Sequence, residues 1–160
     1  MWANPFCRYI AVVLCICAIS GCGFKLRGQS ALPADLQNLI ITSDNSESAL
    51  FHELQKQLSK IRTEPTSGSQ PELKLLADKL TRRTLSLFPN GQVAEYELIY
   101  SVSYKLFREG KEPHIQSFEL TRNYQDDPDN ALAKSREMTL ILSEMRTQAS
   151  HLIIRQLGQH

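Results

Sequence analysis

The chain has 160 residues, with 18 Lys and Arg set against 17 Asp and Glu for a formal net charge of +1. That balance offers no bulk attraction to nucleic acid, so an anion site would have to be a local cluster, and the length suits one domain with its own core. All four cysteines, Cys7, Cys15, Cys17 and Cys22, fall in the first 22 residues, which leaves none downstream for disulfides, Cys-ligated zinc or a thiol nucleophile.

Residues 1–21 read as a cleavable export signal: one cation at Arg8, an apolar run from Tyr9 to Ile19, then Ile19-Ser20-Gly21 closing on Cys22. Eleven apolar residues in a helix rise only about 16 Å, short of the roughly 30 Å that a spanning helix must cover. The Ile-Ser-Gly-Cys sequence resembles the site at which lipoprotein signals are cut before a diacylated cysteine. Cys22 is therefore expected to carry an S-diacylglycerol and an N-acyl chain. At about 0.8 kcal/mol per buried methylene, two or three chains anchor a domain stably. No other cofactor is expected. Gly23 stands where an Asp would signal inner-membrane retention, and this resemblance to sorted lipoproteins implies the outer membrane, facing the periplasm, as the expected address. Loss of residues 1–21 removes only Arg8 among the charged side chains, bringing the mature chain to a formal charge of zero.

Residues 22–35 read as a lipidated tether, with Pro33 opposing helix, and residues 36–160 as a single α+β domain. Leu39 to Thr42 is a short β-branched run that predicts a first strand. Asp44 is expected to cap a helix in which Leu50, Phe51, Leu54, Leu58 and Ile61 recur along one face. Residues 63–71 are dense in Pro, Ser, Thr and Gly and predict a loop.

Leu73, Leu75 and Ala77 alternate with polar residues, Lys79, Thr81 and Arg83 interrupt the pattern, and Leu85 and Leu87 resume it. This predicts a long strand buried better at both ends than in the middle. Asn90-Gly91 predicts a tight hairpin turn. From Ala94 to Leu106 every even position is apolar or aromatic and most odd ones are polar, a strand with one core face and one wet face. A turn over residues 108–113 leads to a further strand, residues 115–124, with Phe118, Leu120 and Tyr124 in phase. Asp126, Asp127 and Asp129 then precede a long helix whose expected core stripe is Leu132, Met138, Ile141, Met145, Ala149, Leu152 and Ile153, ending at Gly158. The resulting order, β-α-β-β-β-α, folds as a mixed four-stranded sheet with both helices packed on one face.

Signatures of catalysis are sparse. His52-Glu53 lacks the second histidine of a zinc-protease helix, and His52, His114, His151 and His160 share no ligand spacing. No nucleophile elbow or phosphate loop occurs. Glu95 and Glu97 share a strand face about 7 Å apart, a spacing a glycosidase could use, but no sugar-stacking aromatics accompany them and a solvated face explains them better. Lys79 and Arg83 on one parity and Arg82 on the other form a candidate basic patch near the hairpin.

Three segments carry a resemblance: Ser20-Gly21-Cys22-Gly23-Phe24-Lys25-Leu26-Arg27, then Phe88-Pro89-Asn90-Gly91-Gln92-Val93-Ala94-Glu95-Tyr96, then Asn130-Ala131-Leu132-Ala133-Lys134. In order and spacing they resemble the LptE/RlpB family of LPS-assembly lipoproteins over nearly the whole mature chain. That resemblance implies a non-catalytic outer-membrane lipoprotein that plugs the LptD barrel, assists its assembly and binds lipopolysaccharide on its way to the cell surface. It also implies contacts at the hairpin tip, Pro89, Asn90, Gly91 and Gln92, and at Lys134. Pro89 stands where family members can carry a basic residue, so Arg82 and Arg83, on the strand entering the tip, are the candidates to replace it. The alternative is an outer-membrane lipoprotein that binds a different periplasmic protein.

Overall fold

The computed structural model describes residues 32–61 and 70–159. The signal segment, the expected lipidation site Cys22, residues 22–31 of the tether, most of the expected loop over residues 63–71, and His160 lie outside the described residues. Four strands and two helices follow in the expected order: β1 (Ile40–Ser43), α1 (Ala49–Ile61), β2 (Glu72–Leu87), β3 (Val93–Phe107), β4 (His114–Gln125) and α2 (Ala131–Leu157). Single 3-10 turns at Ala34–Leu36 and Pro128–Asn130 precede β1 and α2. The sheet order is β1-β2-β3-β4, with β1 parallel to β2 and the other pairs antiparallel.

The even-numbered face of β3 carries the core, as its alternation demands: Leu98, Tyr100, Val102, Tyr104 and Leu106 are buried. Leu50, Leu54 and Leu58 of α1 and Met145, Ala149, Ile153 and Leu157 of α2 cover that face. Leu36 and Leu39 close one end of the core. The core stops short of the β2–β3 hairpin tip. Within α2 the buried positions begin at Met145, so the first turns of the helix and the distal hairpin project beyond the packed region.

Expectations about burial fail at three places, the middle of β2, its far end and the start of α2, each for its own reason. In β2 the register with β3 shifts between Leu75 and Ala77, where Leu76 is inserted as a bulge. One extra residue reverses the parity of the stretch that follows, as far as Thr84, where further register shifts begin. Asp78, Leu80, Arg82 and Thr84 therefore take the helix-covered face opposite Val102, Tyr100, Leu98 and Tyr96, while Lys79, Thr81 and Arg83 take the open face. The far end of β2 is not buried: Leu85 and Leu87 are 43% and 60% exposed on the projecting hairpin. Leu132 also leaves the expected core stripe, at 70% exposure, because the first turn of α2 lies beyond the core.

The cap of α1 differs as well. Ser48, not Asp44, sits at the helix start, its hydroxyl accepting from the Phe51 N–H at 3.3 Å, while Asp44 pairs with Lys74 Nζ at 2.8 Å. Ser48 Oγ in turn donates to Asp78 Oδ1 at 2.8 Å, and the Tyr100 hydroxyl donates to Asp78 Oδ2 at 2.7 Å. Burial pushes the Tyr100 phenol well above its usual range, so it stays a donor. One carboxylate thus joins the start of α1 to β2 and β3.

The hairpin loop spans residues 88–92. Phe88 N–H donates to the Gln92 carbonyl at 2.8 Å and Gly91 N–H to the Phe88 carbonyl at 2.9 Å. Pro89 takes the second turn position and Gly91 adopts φ +85°. This is the chemistry of a loop with a left-handed glycine after the turn, wider than the tight turn expected from Asn-Gly.

Candidate functional site

Where the projecting hairpin meets the first turns of α2, a cleft of about 780 Å³ opens. Its floor is Tyr124 of β4, buried, whose hydroxyl donates to the Lys134 carbonyl at 2.9 Å and so fixes the helix start against the sheet. Arg82 enters from β2, Gly91 and Gln92 from the turn, and Lys134, Ser135 and Met138 from α2. Asp126 and Asp127 line the rim. Asp127 also accepts from the Asp129 N–H at 3.1 Å, capping the 3-10 turn that leads into α2.

Lys134 is half-buried in this cleft. Its Nζ lies 5.3 Å from the centre of the Tyr124 ring and 2.9 Å from Glu137 Oε2. The hydrogen bond to Glu137 raises the ammonium pKa above its ordinary value, against a smaller opposing desolvation, so the group is a permanent cation. An ammonium beside an aromatic face and a flexible carboxylate can exchange that carboxylate for a ligand anion.

The structure brings some of the sequence-predicted residues together and separates others. Arg82 and Lys134 share the cleft, and Gly91 and Gln92 form its tip-side wall. Pro89 and Asn90 sit on the exposed turn outside the cleft lining, where the Asn90 side chain bonds Gln92 Oε1 at 2.7 Å and the Gln92 N–H at 3.1 Å. Arg83 faces the opposite side of the sheet, in an ion pair with Glu97 at 2.5 Å. That pair also occupies one of the two carboxylates weighed for glycoside chemistry. Sequence reasoning did not assign Tyr124 its role as floor and helix anchor. Its phase pointed inward, but nothing local named Lys134 as its partner.

The open face of the sheet is polar along its middle, with Ile99 among the polar residues there and exposed Ile40 and Ile115 toward its end. Ser103 and Ser117 hydroxyls bond at 2.9 Å and Ser101 donates to Glu119 at 2.8 Å, with Thr81, Thr121 and Asn123 in the same face. No helix among the described residues is long and apolar enough to cross a membrane.

Residues 36–157 match the family described as LptE, lipopolysaccharide-assembly. The LPS-assembly lipoprotein LptE of Pectobacterium atrosepticum is 33% identical over 148 residues, 90% of this chain and 80% of that protein. Its counterpart from Yersinia enterocolitica is 31% identical over 90% of this chain and 72% of that protein. Among solved structures, rare lipoprotein B from Shewanella oneidensis is 40% identical, with a TM-score of 0.66 over 76% of this chain and 93% of that one. A lipoprotein B from Nitrosomonas europaea is 26% identical, with a TM-score of 0.65 over 85% of this chain and 90% of that one. The sheet order, the two-helix layer and these matches place the chain in the LptE family of lipopolysaccharide-assembly lipoproteins.

Proposed function

We propose that this protein is a non-catalytic outer-membrane lipoprotein that occupies the lumen of the LptD barrel, supports assembly of that barrel and binds lipopolysaccharide during delivery to the cell surface. The observation that carries the lipid reading is the convergence of Arg82 and Lys134 in one cleft, from two elements far apart in sequence. Phosphates on a lipid headgroup are dense anions that two such cations can hold by charge-assisted hydrogen bonds. Exposed Leu87, Phe88 and Leu132 at the same end of the molecule offer apolar contact to acyl chains.

The barrel reading is supported by the other side of the sheet. A barrel lumen is polar, and a face of serines, threonines and paired charges can meet it without burying unpaired groups. Lipid chains on Cys22 would keep the domain at the membrane. Affinity purification of the full-length tagged protein from detergent-extracted outer membranes tests this: LptD is expected to co-elute in stoichiometric amount. Recovery of the lipoprotein alone, or with a different periplasmic protein, would refute the plug assignment.

A further inference from the structure

A second cavity, of about 520 Å³, lies further along the seam between β4 and α2 and takes no part in the cleft described above. Arg122 enters it from β4, while Gln148, His151 and Arg155 enter from α2, at helical spacings of three and four that put them on one face. The sheet register ties this cavity to the first. Arg82 and Arg122 both pair with Leu98, one from each side, so the two arginines share a row on the helix-covered face with their Cα atoms about 10 Å apart. Tyr124, the floor of the first cleft, is two residues along β4 from Arg122. The two cavities share no lining residue and are neighbours along the seam between β4 and α2.

The cations differ in how they are committed. Lys134 is bonded to Glu137 and Arg83 to Glu97, whereas Arg122 and Arg155 are in no ion pair among the described residues. Arg122 Nη2 donates to Gln148 Oε1 at 3.0 Å, a neutral partner that turns the guanidinium toward α2 while leaving its charge uncompensated. Glu144 is the one carboxylate in the cavity lining, against two guanidiniums. Ordinary surface arginines project from convex ground into water. These two line one concavity whose apolar walls are Leu120 and Leu152.

We infer that this cavity is a second anion subsite, in which Arg122 and Arg155 hold a phosphate of the same lipid whose other phosphate lies between Arg82 and Lys134. The inference rests on the lipid-binding reading above and extends it to a two-point grip. Two sites fix the orientation of a bisphosphorylated headgroup along the β4–α2 seam, where one would let it pivot. The apolar walls suit an amphiphile over a free inorganic anion.

Equilibrium binding of purified lipopolysaccharide, intact and with one lipid A phosphate removed, to the wild-type protein and an Arg122→Gln/Arg155→Gln variant tests the assignment. The variant is expected to bind the intact ligand about tenfold more weakly than wild type, and removing one phosphate should weaken wild type by a similar factor but the variant much less. Both side chains are exposed, so the fold should survive, and Arg155→Gln alone should shift affinity in the same direction by less. Equal affinity of variant and wild type for the intact ligand would overturn the subsite. Tight binding of inorganic phosphate alone, abolished in the double variant, would assign the cavity to a free anion and overturn the shared-lipid grip. Failure of wild type to bind either lipid would bring down the lipid-binding reading and the subsite with it.

Discussion

Lys134→Ala is expected to weaken lipopolysaccharide binding by about tenfold, and Lys134→Ala combined with Arg82→Ala by about a hundredfold, since each removes a charge-assisted contact to phosphate. Arg83→Ala, one residue from Arg82, should leave binding unchanged, because its guanidinium faces the other side of the sheet beside Glu97. Lys134→Arg should retain most of the affinity, as the charge stays over Tyr124. Binding titrations on these four variants and on Arg82→Ala alone, with circular dichroism to verify the fold, measure this. Equal losses from Arg82→Ala and Arg83→Ala would contradict the cleft, because charge near the tip would then matter more than position.

Asp78→Ala is expected to lower the unfolding free energy by about 2–5 kcal/mol. The substitution leaves two buried hydroxyls, Ser48 and Tyr100, without their acceptor. Each buried group left unpaired costs about 1–3 kcal/mol, and Arg146, which lies beside the Tyr100 hydroxyl, loses a neighbouring negative charge as well. Asp78→Asn should cost less, since its carbonyl oxygen still accepts one of the two bonds. Urea unfolding followed by circular dichroism gives both values, and an Asp78→Ala protein as stable as wild type would show that the network contributes nothing net. Folded Asp78→Ala protein should still bind lipopolysaccharide, because the network lies away from the cleft lining.

Much of this architecture is legible in the sequence because it depends on local period. The even positions of β3 and the spacing of Leu50, Leu54 and Leu58 each point to one face, and each face is buried. The bulge at Leu76 is different in kind. It inserts one residue in a strand with no glycine or proline to mark it, and its trace is the lapse of alternation at Lys79, Thr81 and Arg83. From the sequence that lapse reads as a less buried middle. In the structure it is a reversal of faces, and it decides which of two adjacent arginines reaches the cleft. Asp44 and Ser48 were both good caps by chemistry. Lys74 and Asp78, strand residues 30 positions downstream of each, settle the choice, and no local signal contains them. The site was legible as Lys134 and a nearby arginine through the resemblance, whereas Tyr124 and the Arg122 cavity depend on the packing of β4 against α2.

The most direct test places a photoreactive residue at Ser135, in the cleft lining, or at Ser117, on the open sheet face, in the full-length protein in living cells. Irradiation is expected to yield a lipopolysaccharide adduct from position 135 and an LptD adduct from position 117. Lipopolysaccharide adducts absent at 135, or equally abundant at both positions, would contradict a protein that holds lipid in this cleft while its polar sheet face meets the barrel.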